Sequence, residues 1–172
     1  VTFINPHPKK GSHLAFEVAK LCPDIPFHFV QSWTLGEDHY ALINAKLKEL
    51  PNLTFQTRSR NMKKVYGRAK IILAPSICEE AWGRVASEAQ FSGIPVVASN
   101  IGGLPEAVGP GGILLDPEGP ADVWAEAIRR LWTDEAFYCE KSQAALAHSG
   151  RPEINPALQV DALLTLLEDA RR

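Results

Sequence analysis

Short apolar runs alternate with longer stretches of helical spacing over the first two thirds of the chain. The runs are VTFIN (1–5), FHFVQS (27–32), NLTFQ (52–56), KIILAP (70–75), PVVAS (95–99) and GILLD (112–116). Most are apolar at consecutive positions, the pattern of strands buried on both faces of a parallel sheet. Between them, helical spacing predicts helices over 12–22, 37–50, 61–68 and 83–92, with a short turn of helix over 103–108. Leu14, Val18 and Leu21 supply the inward stripe expected of the first helix, and Leu42, Ala45, Leu47 and Leu50 that of the second. Strand and helix in alternation predict an α/β fold, a parallel sheet of about six strands with helices on both faces, joined by right-handed crossovers. After Asp116 the pattern becomes all-helical, over 120–132, 134–148 and 156–171. In the last segment Val160, Leu163, Leu164 and Leu167 form an i, i+3, i+4, i+7 set, which calls for an apolar neighbour such as a domain missing from this chain.

Composition narrows the reading. With 172 residues, 45% of them apolar, one compact domain with a real core is expected rather than two. Eighteen basic residues against 20 acidic ones leave a formal charge of −2, so the broad basic field that nucleic acid requires is absent and any anion must be bound locally. Cys22, Cys78 and Cys139 are widely spaced and form no C-x-x-C pair. That argues against a disulfide framework or a zinc site and points to a reducing cytoplasm. No apolar stretch approaches the ~20 residues of a membrane helix. Val1 leads directly into a strand-like run, as in an excised domain.

In an open parallel sheet, ligands bind beyond the carboxyl ends of the strands. Three loops there carry the candidate chemistry: PHPKKG (6–11), SICEEAW (76–82) and NIGGLPE (100–106). If a helix opens at Gly83, the N–H groups of Gly83, Arg84 and Val85 are unpaired and suit a phosphate, with Arg84 adding charge. Glu88 stands about 7.5 Å further along, where a carboxylate suits hydroxyls such as a ribose diol. Glu80, repelled by phosphate, suits sugar hydroxyls. The plain alternative makes Arg84 and Glu88 a solvated i, i+4 pair worth ~0.2–0.5 kcal/mol.

PHPKKG places Lys9 and Lys10 ahead of Gly11 and of Ser12, a candidate N-cap for the first helix. Either lysine can meet phosphate or simply be solvated, and His7 reads as filler. Gly102 and Gly103 allow either close approach to a ligand or a tight turn. Trp82 is expected to pack beneath its loop. The chain has no G-x-G-x-x-G after the first strand, no P-loop, no G-x-S-x-G turn and no D-x-D for a metal-held diphosphate, so protein groups must supply the positive charge.

The run E-A-W-G-R-V-A-S-E, followed by A-Q-F-S-G-I-P-V-V-A-S-N-I-G-G-L-P-E-A-V, resembles the donor half of GT-B-fold retaining glycosyltransferases of family 4. Their signature of two glutamates separated by seven residues falls here on Glu80 and Glu88. The likeness extends through GPGGILLDPEGPADVWAEAIRRLW and back to NPHPKKG. It implies a Rossmann-like, doubly wound domain spanning 1–172 that binds a nucleotide-diphosphate sugar as donor substrate without metal or other cofactor. The acceptor-binding N-terminal domain would be the missing partner, and any membrane association would lie there.

By that likeness Glu88 holds ribose, Glu80 the transferred hexose, the Gly83–Val85 amides the diphosphate, and Lys10, beside Gly11, a phosphate. The family's usual arginine five positions before that lysine is Asn5 here. Arg84, His7 or Arg58 is the candidate substitute for its charge. Retention of anomeric configuration is implied, as is poor transfer by this chain alone. A non-catalytic nucleotide-sugar sensor is the rival, kept open by Asn5; a receiver module fails for lack of an acidic cluster after the first strand.

Overall fold

A computed structural model describes residues 1–170. All six expected strands are present: β1 (Thr2–Ile4), β2 (Phe27–Val30), β3 (Leu53–Gln56), β4 (Ile72–Ala74), β5 (Val96–Ser99) and β6 (Gly112–Leu115). They form one parallel sheet in the order β3-β2-β1-β4-β5-β6. Side chains alternate across it, as strand geometry requires. Phe3, Phe27, Phe29, Leu73 and Val97 enter one core cluster; Ile4, Val30, Ile72, Ala74, Val96 and Ala98 enter the other.

Helices cover both faces. On the first side lie α1 (Ser12–Leu21), α2 (Glu37–Glu49) and α6 (Ala121–Thr133), the last burying Trp124, whose Nε1 donates to the Asp116 carbonyl at 3.3 Å. On the second lie α3 (Met62–Tyr66), α4 (Arg84–Gln90) and α5 (Leu104–Val108), with α7 (Glu135–Ser149) packed outside α4. The fold is the expected Rossmann-like α/β sheet.

The expected stripes of two helices hold at Leu14, Val18, Leu42, Leu47 and Leu50, which pack in or against the core, and fail at Leu21 and Ala45. On α1 the buried residues are Ser12, Ala15, Phe16, Val18 and Ala19, while Leu21 is exposed. On α2 they are His39 and Ile43, while Ala45 faces solvent. Ser12, Ala15, Ala19 and His39 are small or polar buried positions that a count of large aliphatics passes over. His39 is buried because its Nε2 pairs with the Pro6 carbonyl at 2.6 Å, tying α2 to the loop after β1. Ser12 is not the N-cap of α1; Gly11 holds that position in a left-handed conformation with no side-chain cap.

Helix α8 (Pro156–Asp169) stands apart. Leu158, Val160, Leu163, Leu164, Leu166 and Leu167 are all exposed. The apolar row read from the sequence exists, and nothing among the described residues covers it.

Candidate functional site

Strand order reverses between β1 and β4, because the chain builds outward from β1 to β3 and then restarts beside β1. The loops leaving these two strands diverge and leave a crevice. A cleft of about 730 Å³ lies there, and its lining includes Asn5, Lys10, Trp33, Ser76, Glu79, Glu80, Gly83, Arg84, Val85 and Glu88. Sequence reasoning therefore named residues that the fold gathers into one place, while Gly11, behind the wall, and the looser candidates His7, Lys9, Arg58, Gly102 and Gly103 do not line it.

Gly11 sets that wall. Its φ is +75°, and a Cβ there would sit 1.8 Å from the Pro75 carbonyl oxygen. Only glycine lets the β1 loop lie against the end of β4. Ile77 N–H then donates to the Lys9 carbonyl at 3.2 Å, and a 3-10 turn over Pro8–Lys10 turns Lys10 inward. Lys10 Nζ lies 3.0 Å from Glu80 Oε1, with both side chains only 15% exposed. The Ser76 hydroxyl hydrogen-bonds the same oxygen, and the Trp33 ring lies 5.0 Å from the ammonium. Glu80 thus neutralises Lys10, the cation that the family likeness assigns to a phosphate.

The Glu80 loop is braced from behind. Gly103 N–H donates to the Glu80 carbonyl at 2.7 Å. A Cβ on Gly102 or Gly103 would come within 2.6 Å of the Glu80 carbonyl oxygen or 2.4 Å of that of Ala81. These glycines serve the close approach of two loops.

Gly83 caps α4 with φ +77°, and a Cβ there would strike Leu104 at 2.6 Å. Among the described residues, the N–H groups of Gly83, Arg84 and Val85 bond to nothing; the first bonded amide is Ala86, to the Gly83 carbonyl. Those three donors are free, as the position of the helix start predicted. Trp82 is half-buried beside them, its Nε1 bonded to Ser87 Oγ at 3.0 Å, which fits its expected packing role.

On the next turn Glu88 accepts from Arg84 at 3.1 Å through Oε1 and from the Tyr66 hydroxyl at 2.7 Å through Oε2. Arg84 is 86% exposed, so that ion pair is weak. The Tyr66 contact is the firmer one. Burial pushes the Tyr66 phenol well above its ordinary range, and the hydrogen bond to Glu88 and that residue's charge add to the shift. Tyr66 therefore remains a donor.

Asn5 adopts φ +67°, the one non-glycine residue with positive φ among those described. Its Oδ1 accepts from Trp33 N–H at 3.0 Å, which locks the β2 loop in place but brings no charge. Neither does His7: burial and nearby cations lower its pKa, and its Nδ1 accepts from Lys9 N–H at 3.2 Å. Arg58 bonds Thr34 Oγ1 at 2.8 Å and, with Arg60, rims an adjoining cavity of about 410 Å³ floored by Ile4, Val30 and Met62.

Trp33, Ser76 and Tyr66 were missed by sequence reasoning. The signal for the first was a bulky aromatic directly after a strand, in QSW, where a loop enters the crevice. The other two carried no local signal. Among the described residues no three or more His, Cys, Asp or Glu side chains are placed to hold a metal ion, and no helix is long and apolar enough to cross a membrane.

A doubly wound sheet with unpaired amides, a lysine and two glutamates at its switch point defines a Rossmann-like domain of the GT-B type. Residues 6–151 match the family model of the Glycosyl transferases group 1, and the chain belongs to that family. Among curated relatives, it is 44% identical over 87 residues to the D-inositol 3-phosphate glycosyltransferase of Corynebacterium efficiens, covering 49% of this chain and 20% of that one. It is 40% identical over 114 residues to the enzyme of the same name from Corynebacterium kroppenstedtii, covering 65% and 24%. The matches thus span a quarter or less of those relatives. Anabaena HepE in complex with UDP superposes with TM-score 0.84 at 23% identity, over 97% of this chain and 48% of that one. The C-terminal domain of LpcC, a glycosyl transferase group 1 family protein from Francisella tularensis, superposes with TM-score 0.72 at 21% identity, over 86% and 82%.

Proposed function

We propose that this chain is the donor-binding domain of a retaining, metal-independent glycosyltransferase that moves a hexose-type sugar from a nucleoside diphosphate to an acceptor. The observation that carries the reading is the grouping of the Gly83–Val85 amides, Lys10, Glu80 and Glu88 in one cleft. The diphosphate sits over the free amides and Lys10, which stabilise the leaving group through fixed dipoles and charge. Glu88, held by Tyr66, accepts from the ribose hydroxyls; Glu80 accepts from those of the sugar. The adjoining cavity of Arg58 and Met62 receives the base. Binding of UDP by HepE and of UDP-glucose in a second HepE structure supports the choice of ligand class.

The partial coverage of longer relatives and the match to a separate C-terminal domain support a missing acceptor domain. The bare row of α8 suits contact with it. Alone the chain binds donor but transfers poorly, because the two halves must close to exclude water and align the acceptor. Calorimetric titration with UDP, GDP and ADP, then with their sugar esters, tests this. At least one should bind below millimolar; none doing so defeats the reading. Asn5, committed to Trp33 at the position where the family likeness implies an arginine, favours a second reading as a non-catalytic nucleotide-sugar sensor. The full-length protein would then bind a donor and release no diphosphate with any acceptor.

A further inference from the structure

We propose that Glu80 is an internal competitor for Lys10 that lets the site distinguish a sugar-bearing diphosphate from a bare one; this rests on the nucleotide-sugar reading above. The charges lining the cleft are two cations, Lys10 and Arg84, against three carboxylates, Glu79, Glu80 and Glu88. Both cations are already matched, Lys10 by Glu80 at 3.0 Å and Arg84 by Glu88 at 3.1 Å. Among the described residues, a diphosphate entering the seat over Gly83 finds free amides, while the enclosed cation of the lining, Lys10, is already engaged and Arg84 is mostly solvated.

Lys10 turned to the diphosphate divides its charge between phosphate and Glu80, 3.0 Å away. Glu80 is then a largely buried carboxylate with its counter-charge drawn off, supported by the Ser76 hydroxyl, and it lies next to phosphate. Weakening that enclosed pair is costly. Hydroxyl donors from an attached sugar offset that cost; a bare diphosphate offers none. The sugar nucleotide is accordingly favoured over the diphosphate left after transfer. Once the sugar has gone, Glu80 recaptures Lys10 and the product is expelled. The largely buried setting matters here, because a solvated Glu80 would be screened and indifferent to the exchange.

The test is titration of the wild type, Glu80→Gln and Glu80→Ala with UDP, GDP and ADP, and with UDP-glucose, GDP-mannose and ADP-glucose. For whichever diphosphate the wild type binds, both variants are expected to bind it about tenfold tighter, because a charge-assisted competitor is gone. The preference for the matching sugar nucleotide should shrink in both. Equal or weaker binding of the diphosphate by both variants, with wild-type binding intact, overturns the competition and leaves the donor-binding reading standing. Absence of wild-type binding to every nucleotide overturns that reading and the competition together.

Discussion

Glu80 and Glu88 line one cleft, eight positions apart in sequence, and have opposite surroundings. Glu80 lies in a loop clamped by Gly102 and Gly103, 15% exposed, with its charge tied to a lysine that is equally enclosed. Glu88 rides the second turn of a helix, 36% exposed, between a neutral phenol and a solvent-screened arginine. An arriving anion can take Glu80's partner away. An anion disturbs Glu88 less, because its arginine partner is mostly solvated while its other oxygen stays held by Tyr66. Identical side chains in one cleft thus differ in how much binding must first break.

The strongest way to break this contrast is to dismantle the wall that creates it. Gly11→Ala forces a left-handed residue against the Pro75 carbonyl and should lower stability by about 3 kcal/mol or more, read by urea denaturation, with loss of nucleotide binding. Next, Glu88→Ala should weaken nucleotide binding by about 10- to 100-fold in calorimetry, since a charge-assisted contact is removed. Lys10→Ala should weaken diphosphates by about tenfold and leave the nucleoside unchanged; an equal loss for both would make the lysine merely structural.

Smaller effects sharpen the Glu88 half. Tyr66→Phe frees one Glu88 oxygen to swing and should cost about fivefold in nucleotide affinity, the worth of one hydrogen bond. The same variant has a pH signature. The folded phenol keeps its proton above the ordinary value of 10.0, so its stabilising contribution is full below that pH and is lost as the unfolded chain ionises above it. Alkaline melting curves should therefore be flatter for Tyr66→Phe. Arg84→Ala, removing a mostly solvated pair, should change affinity by less than about twofold.

How much of this was legible in the sequence divides along the same line as the physics. All six strands were, because period and burial on both faces are local properties. The free amides at Gly83 and the Glu88 position were also legible, since helix rise converts spacing into distance. The pairing of Lys10 with Glu80 was not: the two belong to different loops, and only the abutment of Gly11 on Pro75 brings them together. Tyr66, on a five-residue helix, meets Glu88 from 22 positions away. The core faces of α1 and α2 were legible at Leu14, Val18, Leu42, Leu47 and Leu50 but not at Leu21 and Ala45, which face solvent, nor at the small or polar buried positions Ala15 and His39. Asn5 could be seen as a missing charge but not as a left-handed hinge pin for Trp33.

The interlock of the 102–103 turn with the 79–81 loop has a practical corollary for engineering. Side chains at 102 and 103 have no room, and the Glu80 carbonyl relies on the Gly103 amide for its bond. Transplanting the EEAW segment into a relative, or accepting that relative's version here, succeeds only when both turns travel together as one cassette.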